Sequence, residues 1–204
     1  MIAIVDYGVG NLFSLRSSLC FLGADVAVSG DESVLRAADQ IILPGVGAFA
    51  DAVKKLRATG LDQVVIEEAA RGKPLLGICL GMQLLLERSL EYGEHRGLGL
   101  IPGDVVPMEP VVPSDYKIPH IGWNALHFPV GRPRSPVFKD IQEGDHVYFV
   151  HSYYADHCPA VTATTEYGAI LTAAVGRDNV FGCQFHPEKS GPVGLSILRA
   201  FCDL

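Results

Sequence analysis

The sequence contains no long apolar run and relatively few positively charged residues. None of its 204 residues belongs to a stretch of roughly 18 consecutive apolar residues, and no basic segment precedes the first apolar run. Lysine and arginine number 16 against 23 aspartates and glutamates, which gives a formal net charge of −7. These absences argue against a signal peptide, a membrane protein and a nucleic-acid-binding surface. We expect a cytoplasmic protein whose partners are small molecules or other proteins.

Paired cysteines are also missing. The five cysteines are odd in number and include no Cys-x-x-Cys pair, so neither a disulfide framework nor a zinc ribbon is indicated. His151, His157 and Cys158 lie near one another and near Asp156, but this spacing does not by itself provide the ligand geometry of a metal site. The chain also lacks a Gly-x-x-x-x-Gly-Lys phosphate loop. We expect neither a metal nor another cofactor.

The first half of the chain alternates short apolar runs with amphipathic segments, and the second half consists of short β-type runs. With 49% hydrophobic residues, the chain suits one domain, residues 1–204, that buries roughly 70% of its unfolded surface. The alternation predicts parallel strands with ligands at their carboxyl ends. We therefore predict an α/β fold with an open, mostly parallel sheet flanked by helices and a β-rich C-terminal half.

The hydrophobic patterns and the turn residues set the predicted boundaries. The predicted strands are 2–6, 25–29, 40–43, 74–78, 104–108, 119–128, 146–153, 161–166, 169–175 and 180–185, with a hairpin turn at 176–179. The predicted helices are 11–23, 32–38, 48–58, 61–71, 80–88 and 192–202.

Residues 77–83, Gly-Ile-Cys-Leu-Gly-Met-Gln, lie between two apolar runs. This pattern predicts a sharp turn from strand to helix with Cys79 at the carboxyl edge of the sheet. Gly77 and Gly81 would allow the tight turn and a close approach of the helix to the strand. The N terminus of that helix would favour the thiolate and make it a nucleophile. An isolated cysteine in such a crossover is more often a core residue, but the two glycines favour the nucleophile.

A second reactive group is predicted where the last strand ends. Residues 181–185 run directly into His186-Pro187-Glu188, and the proline ends the strand ladder. In extended backbone, residues i and i+2 share a side, so Glu188 would orient His186 toward the sulfur. The tripeptide alone also fits a strand end with a solvated acid. Together with Cys79 it supplies a nucleophile, a base and an orienting acid.

A glycine-containing loop supplies a third part of the predicted site. The strand 40–43 is followed by Pro44-Gly45-Val46-Gly47, whose backbone N–H groups can face a ligand. Acyl transfer needs two N–H donors that point at the developing oxyanion. We expect Leu80 to provide one donor and Gly45 or Val46 the other. The sequence does not choose between these two, and the loop alone also fits a plain turn.

These motifs resemble those of the class I, triad-type glutamine amidotransferases, and the resemblance covers the whole chain. Within that family, several blocks are similar to the glutaminase subunits of imidazole glycerol phosphate synthase. The blocks are Asp6-Tyr7-Gly8-Val9-Gly10-Asn11-Leu12, Pro44-Gly45-Val46-Gly47-Ala48-Phe49, Gly122-Trp123-Asn124, Phe149-Val150-His151-Ser152-Tyr153 and His186-Pro187-Glu188-Lys189-Ser190. The resemblance implies a flavodoxin-like amidotransferase fold and hydrolysis of L-glutamine through a cysteine thioester on Cys79.

The resemblance also implies a substrate site and a protein partner. The residues that would hold L-glutamine are Gly47, Gln83, His151, Ser152 and Tyr153. The implied partner in a heterodimer is a (β/α)8-barrel cyclase, which uses the ammonia to make imidazole glycerol phosphate and AICAR in histidine biosynthesis. The implied interface residues are Asn11, Ser14, Trp123, Tyr148 and Lys189. Lys189 would face the partner because neighbouring residues of an extended segment point to opposite sides. Ordinary packing or solvation also fits these positions.

Two other functions share part of the pattern. A different class I amidotransferase subunit, or a stand-alone γ-glutamyl hydrolase, would use the same triad, and the hydrolase would turn over rapidly without a partner. A silent binding module would keep the turn at Cys79 only for packing, and its cysteine would resist alkylation near neutral pH. The complete set of Cys79, His186 and Glu188 argues against the silent module.

Overall fold

The computed structural model describes residues 1–204, which form thirteen strands and six α-helices. The strands are β1 (Ile2–Val5), β2 (Val26–Ser29), β3 (Gln40–Leu43), β4 (Leu75–Ile78), β5 (Arg88–Ser89), β6 (His95–Arg96), β7 (Asp104–Pro107), β8 (His120–Ala125), β9 (His146–His151), β10 (Tyr153–Asp156), β11 (Val161–Glu166), β12 (Ile170–Arg177) and β13 (Val180–Cys183). The helices are α1 (Leu12–Phe21), α2 (Glu32–Ala37), α3 (Phe49–Ala58), α4 (Leu61–Ala70), α5 (Leu80–Leu85) and α6 (Gly191–Cys202). Two short 3₁₀ turns cover Pro136–Phe138 and Pro187–Lys189.

The central sheet has seven strands in the order β11-β12-β13-β4-β3-β1-β2. Strands β2, β1, β3, β4 and β13 are parallel, and β12 and β11 extend the sheet in antiparallel fashion at one edge. This arrangement confirms the predicted open, mostly parallel sheet flanked by helices. Strands β1, β3, β4 and β13 are buried along their whole length because helices cover both faces, which explains their continuous apolar runs.

Each face of the sheet has its own layer of helices. Alternation along β1 directs Ala3 and Val5 to the layer that contains α2 to α5. Ile2 and Ile4 point to the opposite layer, where α1 and α6 pack. A four-stranded sheet (β10-β7-β5-β6) and the antiparallel pair of β8 and β9 complete the structure. No helix is both long and apolar enough to span a bilayer.

The parallel register brings three strand ends to one edge of the sheet. Leu43 at the end of β3 lies opposite Gly77 of β4, and Cys183 at the end of β13 lies opposite Ile78. The segments that follow these strands therefore begin side by side. They are the loop 44–47, the turn at Cys79 and the segment that carries His186.

Helix α5 and the strand predicted for 119–128 are clearly shorter in the structure than predicted. Helix α5 ends at Leu85 rather than at residue 88, because the crossing segment 98–100 donates to its last carbonyl groups. The N–H of Leu98 bonds to the oxygen of Leu84 at 2.8 Å, and the N–H of Leu100 bonds to that of Leu85 at 2.9 Å. The chain then forms β5 and β6, which were not predicted. The strand predicted for 119–128 covers only His120–Ala125.

The strand predicted for 146–153 is in fact two strands in different sheets. Strand β9 pairs with β8, and β10 pairs with β7. The chain changes direction at Ser152, whose carbonyl oxygen accepts a hydrogen bond from the N–H of Met108 at 3.0 Å. At the predicted hairpin, β12 continues to Arg177, and the turn contains only two residues, Asp178 and Asn179.

Candidate active site

Cys79 lies in the sharp turn between β4 and α5. Its backbone has φ 55° and ψ −112°, a conformation that L-residues rarely adopt. A Cβ atom on Gly77 would lie 2.7 Å from the carbonyl oxygen of Gly81, and one on Gly81 would clash with the carbonyl group of Leu43. Only glycine fits at both positions, so the two flanking glycines permit the close contact between β4, α5 and the end of β3.

His186 and Glu188 form a buried pair beside this turn. The Nδ1 atom of His186 lies 2.9 Å from Oε1 of Glu188, and their side chains are 4% and 3% exposed. Burial, the largest effect, lowers the pKa of His186, but hydrogen bonds to Cys79 and Glu188 outweigh it and raise that pKa to about 10. The contacts of His186 with its two neighbours therefore favour the protonated, imidazolium form of the ring.

The backbone around this pair differs from the predicted extended segment. Pro187–Lys189 forms a 3₁₀ turn that follows His186. Glu188 reaches the imidazole through this turn rather than through the alternation of a strand. The extended-chain reason given for the direction of Lys189 is therefore wrong, and Lys189 is an exposed residue at the rim of the same cavity as Cys79.

A cavity of about 630 Å³ opens over Cys79 and His186. Val46, Gly47 and Leu80 contribute to its wall. The backbone N–H groups of Gly45, Val46, Gly47 and Leu80 have no hydrogen-bond acceptor within the chain. Such unpaired donors are what an oxyanion would require.

The loop 44–47 is held at its N-terminal end. The hydroxyl group of Tyr7 donates to the carbonyl oxygen of Pro44 at 2.8 Å. Gly45 is tightly packed, since a Cβ there would lie 2.9 Å from the Tyr7 hydroxyl and 3.0 Å from the nitrogen of Gly81. Val46 is 44% exposed, and Gly47 has φ +92°. The loop is thus anchored at Gly45 and free at the next two residues.

The residues predicted to hold glutamine line the cavity together: Gly47, Gln83, His151, Ser152 and Tyr153. The Nε2 atom of Gln83 donates to the carbonyl oxygen of Tyr153 at 3.2 Å and to Oε1 of Gln184 at 3.0 Å. Both amide hydrogens of Gln83 are therefore used within the chain, and only its oxygen is left for a ligand.

His151 is held as a neutral ring. Its Nδ1 lies 2.9 Å from the carbonyl oxygen of Tyr153, and its Nε2 lies 3.1 Å from Nδ1 of His120. Burial is the main cause that lowers the pKa of His151 to about 3. His151 therefore contributes a polar but uncharged surface to the cavity at neutral pH.

Comparison with known proteins identifies the family of this sequence. Residues 3–203 match the family model described as glutamine amidotransferase class-I. The chain belongs to this family. The match confirms the predicted resemblance and the predicted class of enzyme, a glutamine-hydrolysing subunit.

Relatives within the family are similar over their full lengths. The imidazole glycerol phosphate synthase subunit HisH of Geobacillus thermodenitrificans is 51% identical over 209 residues, covering 100% of this chain and 96% of the relative. The subunit of the same name from Caldanaerobacter subterraneus subsp. tengcongensis is 46% identical, covering 100% and 98%. That of Wolinella succinogenes is 45% identical and covers 100% of both.

Solved structures share the fold at lower identity. A crystal structure of a glutamine amidotransferase has a TM-score of 0.76 at 19% identity and covers 100% of this chain and 98% of that one. The structure of PurLQS from Thermotoga maritima has a TM-score of 0.74 at 19% identity, with coverage of 99% and 97%. These likenesses support the class I amidotransferase fold.

Two of the predicted interface residues are neighbours on the β8–β9 pair. Trp123 lies opposite Tyr148, with ring centroids 6.0 Å apart, and Trp123 is 52% exposed. The carbonyl oxygen of Tyr148 accepts a hydrogen bond from the N–H of His186 at 2.9 Å. A partner at Tyr148 would therefore act one hydrogen bond away from the predicted base.

The other predicted interface residues lie nearby on different elements. Asn11 precedes α1 and Ser14 lies in its first turn, both half-buried. Helix α1 packs against the Pro187–Lys189 turn. The five predicted interface residues therefore lie on or next to four elements, α1, β8, β9 and the Pro187–Lys189 turn, and the Trp123 indole is the most exposed large apolar group among them.

Two buried polar residues beside this candidate site were not identified from the sequence. Gln184 is fully buried, and its Nε2 lies 3.8 Å from the sulfur of Cys79. His120 is also fully buried, against His151. The available signal was a glutamine inside the apolar strand run before His186, because a buried amide needs a polar partner.

Proposed function

We propose that this chain is the glutaminase subunit of an imidazole glycerol phosphate synthase, with Cys79, His186 and Glu188 as its triad. The observation that carries the proposal is the buried 2.9 Å contact between His186 and Glu188 beside Cys79, in a cavity with unpaired backbone donors. The full-length similarity to subunits of that name supports the choice within the family.

The reaction begins when the Cys79 thiolate attacks the side-chain carboxamide carbon of L-glutamine. The N–H of Leu80 and that of Val46 or Gly45 stabilise the resulting oxyanion. His186, which carries the proton of the thiol, transfers it to the departing nitrogen, and ammonia leaves. Neutral His186 then takes a proton from water, the hydroxide attacks the γ-glutamyl thioester, and glutamate leaves as the thiolate is restored. Glu188 keeps the imidazole in the required orientation.

Recognition of the amino-acid part of glutamine is assigned to the other wall of the cavity. The free oxygen of Gln83 is suited to accept from an ammonium group, since its nitrogen is already occupied. Gly47 and the segment His151 to Tyr153 offer backbone groups and an uncharged imidazole. A small zwitterion fits these neutral partners.

The ammonia is used by a second subunit. Free ammonia is protonated near neutral pH and diffuses away, so the glutaminase is useful only when an acceptor enzyme lies against its cavity. The proposed acceptor is a (β/α)8-barrel cyclase that makes imidazole glycerol phosphate and AICAR in histidine biosynthesis. It would contact Asn11 and Ser14 at the start of α1, Trp123 and Tyr148 on the β8–β9 pair, and Lys189 in the Pro187–Lys189 turn.

The test is a complex of Cys79→Ala with the cyclase, assayed with glutamine and with ammonia. Glutamine-dependent synthesis should be lost, whereas ammonia-dependent synthesis should remain, because supplied ammonia bypasses the thiol. Loss of both activities in a folded, assembled complex would contradict the assignment of Cys79. Rapid glutamine hydrolysis by the wild-type chain alone, without stimulation by the cyclase and its substrate, would instead indicate a stand-alone hydrolase.

A further inference from the structure

Gln184 is a buried polar residue to which the proposed mechanism gives no task. It follows β13 directly and is fully buried, although burying an unpaired amide group is costly. Its backbone N–H bonds to the carbonyl oxygen of Ala173 at 2.8 Å. Its side chain lies between Gln83 and the sulfur of Cys79, at 3.0 Å and 3.8 Å.

Gln83, Gln184 and Cys79 form a series of hydrogen bonds that starts at the carbonyl oxygen of Tyr153. That oxygen fixes the direction of every bond in the series. The carbonyl oxygen of Tyr153 can only accept, so the group of Gln83 that faces it must be the NH₂ group. The same nitrogen lies 3.0 Å from the Gln184 amide. Gln184 must present its oxygen there, because a flipped amide would place two donors in contact. Its own NH₂ group is therefore directed at the Cys79 sulfur.

The sulfur has different partners in its two protonation states. As a thiol it can donate to the carbonyl oxygen of Val150, which lies 4.0 Å away. As a thiolate it can only accept, and the Gln184 amide, 3.8 Å away, is directed to donate to it. Because the Gln184 amide can only donate toward the sulfur, it favours the thiolate over the thiol. Hydrogen bonds to charged groups are also the stronger ones.

We propose that Gln184, oriented by Gln83, donates a hydrogen bond to the sulfur of Cys79 and holds it as the thiolate, directed for attack. Gln83 then has two tasks, one toward the substrate through its oxygen and one toward the nucleophile through its nitrogen. The inference deepens the proposed role of Cys79 in glutamine hydrolysis. Alkylation reports on the thiolate without turnover, so this inference can fail while the glutaminase assignment stands.

The test is the pH dependence of Cys79 alkylation by iodoacetamide in the full-length chain. The thiolate sulfur displaces iodide, and mass spectrometry of the Cys79 peptide separates this reaction from that of the exposed Cys20. In Gln184→Met the side chain keeps its length but lacks the donor. The midpoint of the rate profile should rise by about one to two pH units, the size expected for a lost charge-assisted hydrogen bond. Gln184→Asn, one methylene group shorter, should shift the midpoint in the same direction.

A matched control is available in Gln40, which is also buried and whose Nε2 donates to the carbonyl oxygen of Phe201 at 2.9 Å. Gln40→Met removes a buried amide at the opposite end of β3 and should leave the alkylation midpoint unchanged. An unchanged midpoint in folded Gln184→Met would overturn the proposal. If neither Gln184 variant folds, the proposal is tested with Gln83→Met, which frees the Gln184 amide to rotate. This variant must raise the pH midpoint of Cys79 alkylation, and a wild-type pH profile would also overturn the proposal.

Discussion

The backbone of Cys79 should store strain that a glycine would release. With φ 55° and ψ −112°, the residue occupies a sparsely populated region that costs about 1–3 kcal/mol for a residue with a Cβ atom. Cys79→Ala keeps the Cβ atom and the strain, whereas Cys79→Gly removes both. Comparing these two variants isolates the strain, because neither has the thiol.

The sign of the difference in melting temperature between Cys79→Gly and Cys79→Ala shows whether the backbone at this turn is strained. At an ordinary buried position, alanine to glycine costs about 0.5–1 kcal/mol in chain entropy and about 0.8 kcal/mol in lost methyl burial. Relief of about 2 kcal/mol of strain would cancel or exceed that cost. One kcal/mol corresponds to about 2–4 °C in the melting temperature of a chain of this size. We expect Cys79→Gly to melt at the same temperature as Cys79→Ala or a few degrees above it.

The assay is thermal unfolding followed by circular dichroism, with Ala3→Gly as the control. Ala3 is fully buried in β1, where the backbone is an ordinary strand. Ala3→Gly should lower the melting temperature relative to the wild type by roughly 3–7 °C. If Cys79→Gly melts below Cys79→Ala by a similar amount, the turn is not strained and the reasoning is refuted.

Three further predictions concern the loop, the interface and pH. Val46→Pro removes a backbone N–H and should lower glutamine turnover by roughly 10²–10³-fold with partner and ligand bound. Val46→Ala keeps the N–H and should change turnover little. Near-normal turnover of Val46→Pro would leave Gly45 as the oxyanion donor. Lys189→Ala should make glutamate exceed the imidazole product, and one-to-one stoichiometry would remove Lys189 from the interface. Because burial lowers the pKa of His151 from 6.5 to about 3, the unfolded chain binds a proton first, and stability should fall below pH 6.5 by up to about 1.4 kcal/mol per pH unit. His151→Gln should flatten denaturant-measured stability over that range, and an unchanged slope would contradict the assignment.

The sequence was sufficient for the features that depend on local pattern and on parallel topology. The apolar runs of β3 and β4 and the glycines around Cys79 identify a strand, a turn and the edge at which they meet. Parallel pairing then brings separate strand ends together without further information, since Leu43 and Cys183 both flank β4. For this reason the sequence alone predicts that Cys79, His186 and the loop 44–47 lie at one site.

The features that were missed depend on contacts between distant segments. The alternation of residues 146–156 continues through Ser152, and only the pairing of β9 and β10 with different partners ends the strand there. The 3₁₀ turn at Pro187–Lys189 is followed by Ser190, whose hydroxyl group donates to the carbonyl oxygen of His186 at 2.7 Å and accepts from the N–H of Tyr148 at 3.0 Å. No periodicity in the sequence encodes these bonds.

The electrostatics of the proposed triad indicate where we expect its activity to be controlled. The Oε2 atom of Glu188 is buried and has no partner, so this carboxylate is half-paired in a low-dielectric site. Such a group is tolerated when the neighbouring imidazole carries a positive charge, in agreement with the raised pKa of His186. In the proposed mechanism the base and its orienting acid are already paired in the free chain. We therefore expect a partner to act on the oxyanion donors instead. Val46 belongs to the exposed part of the loop, and we expect a partner's ligand to change the rate there.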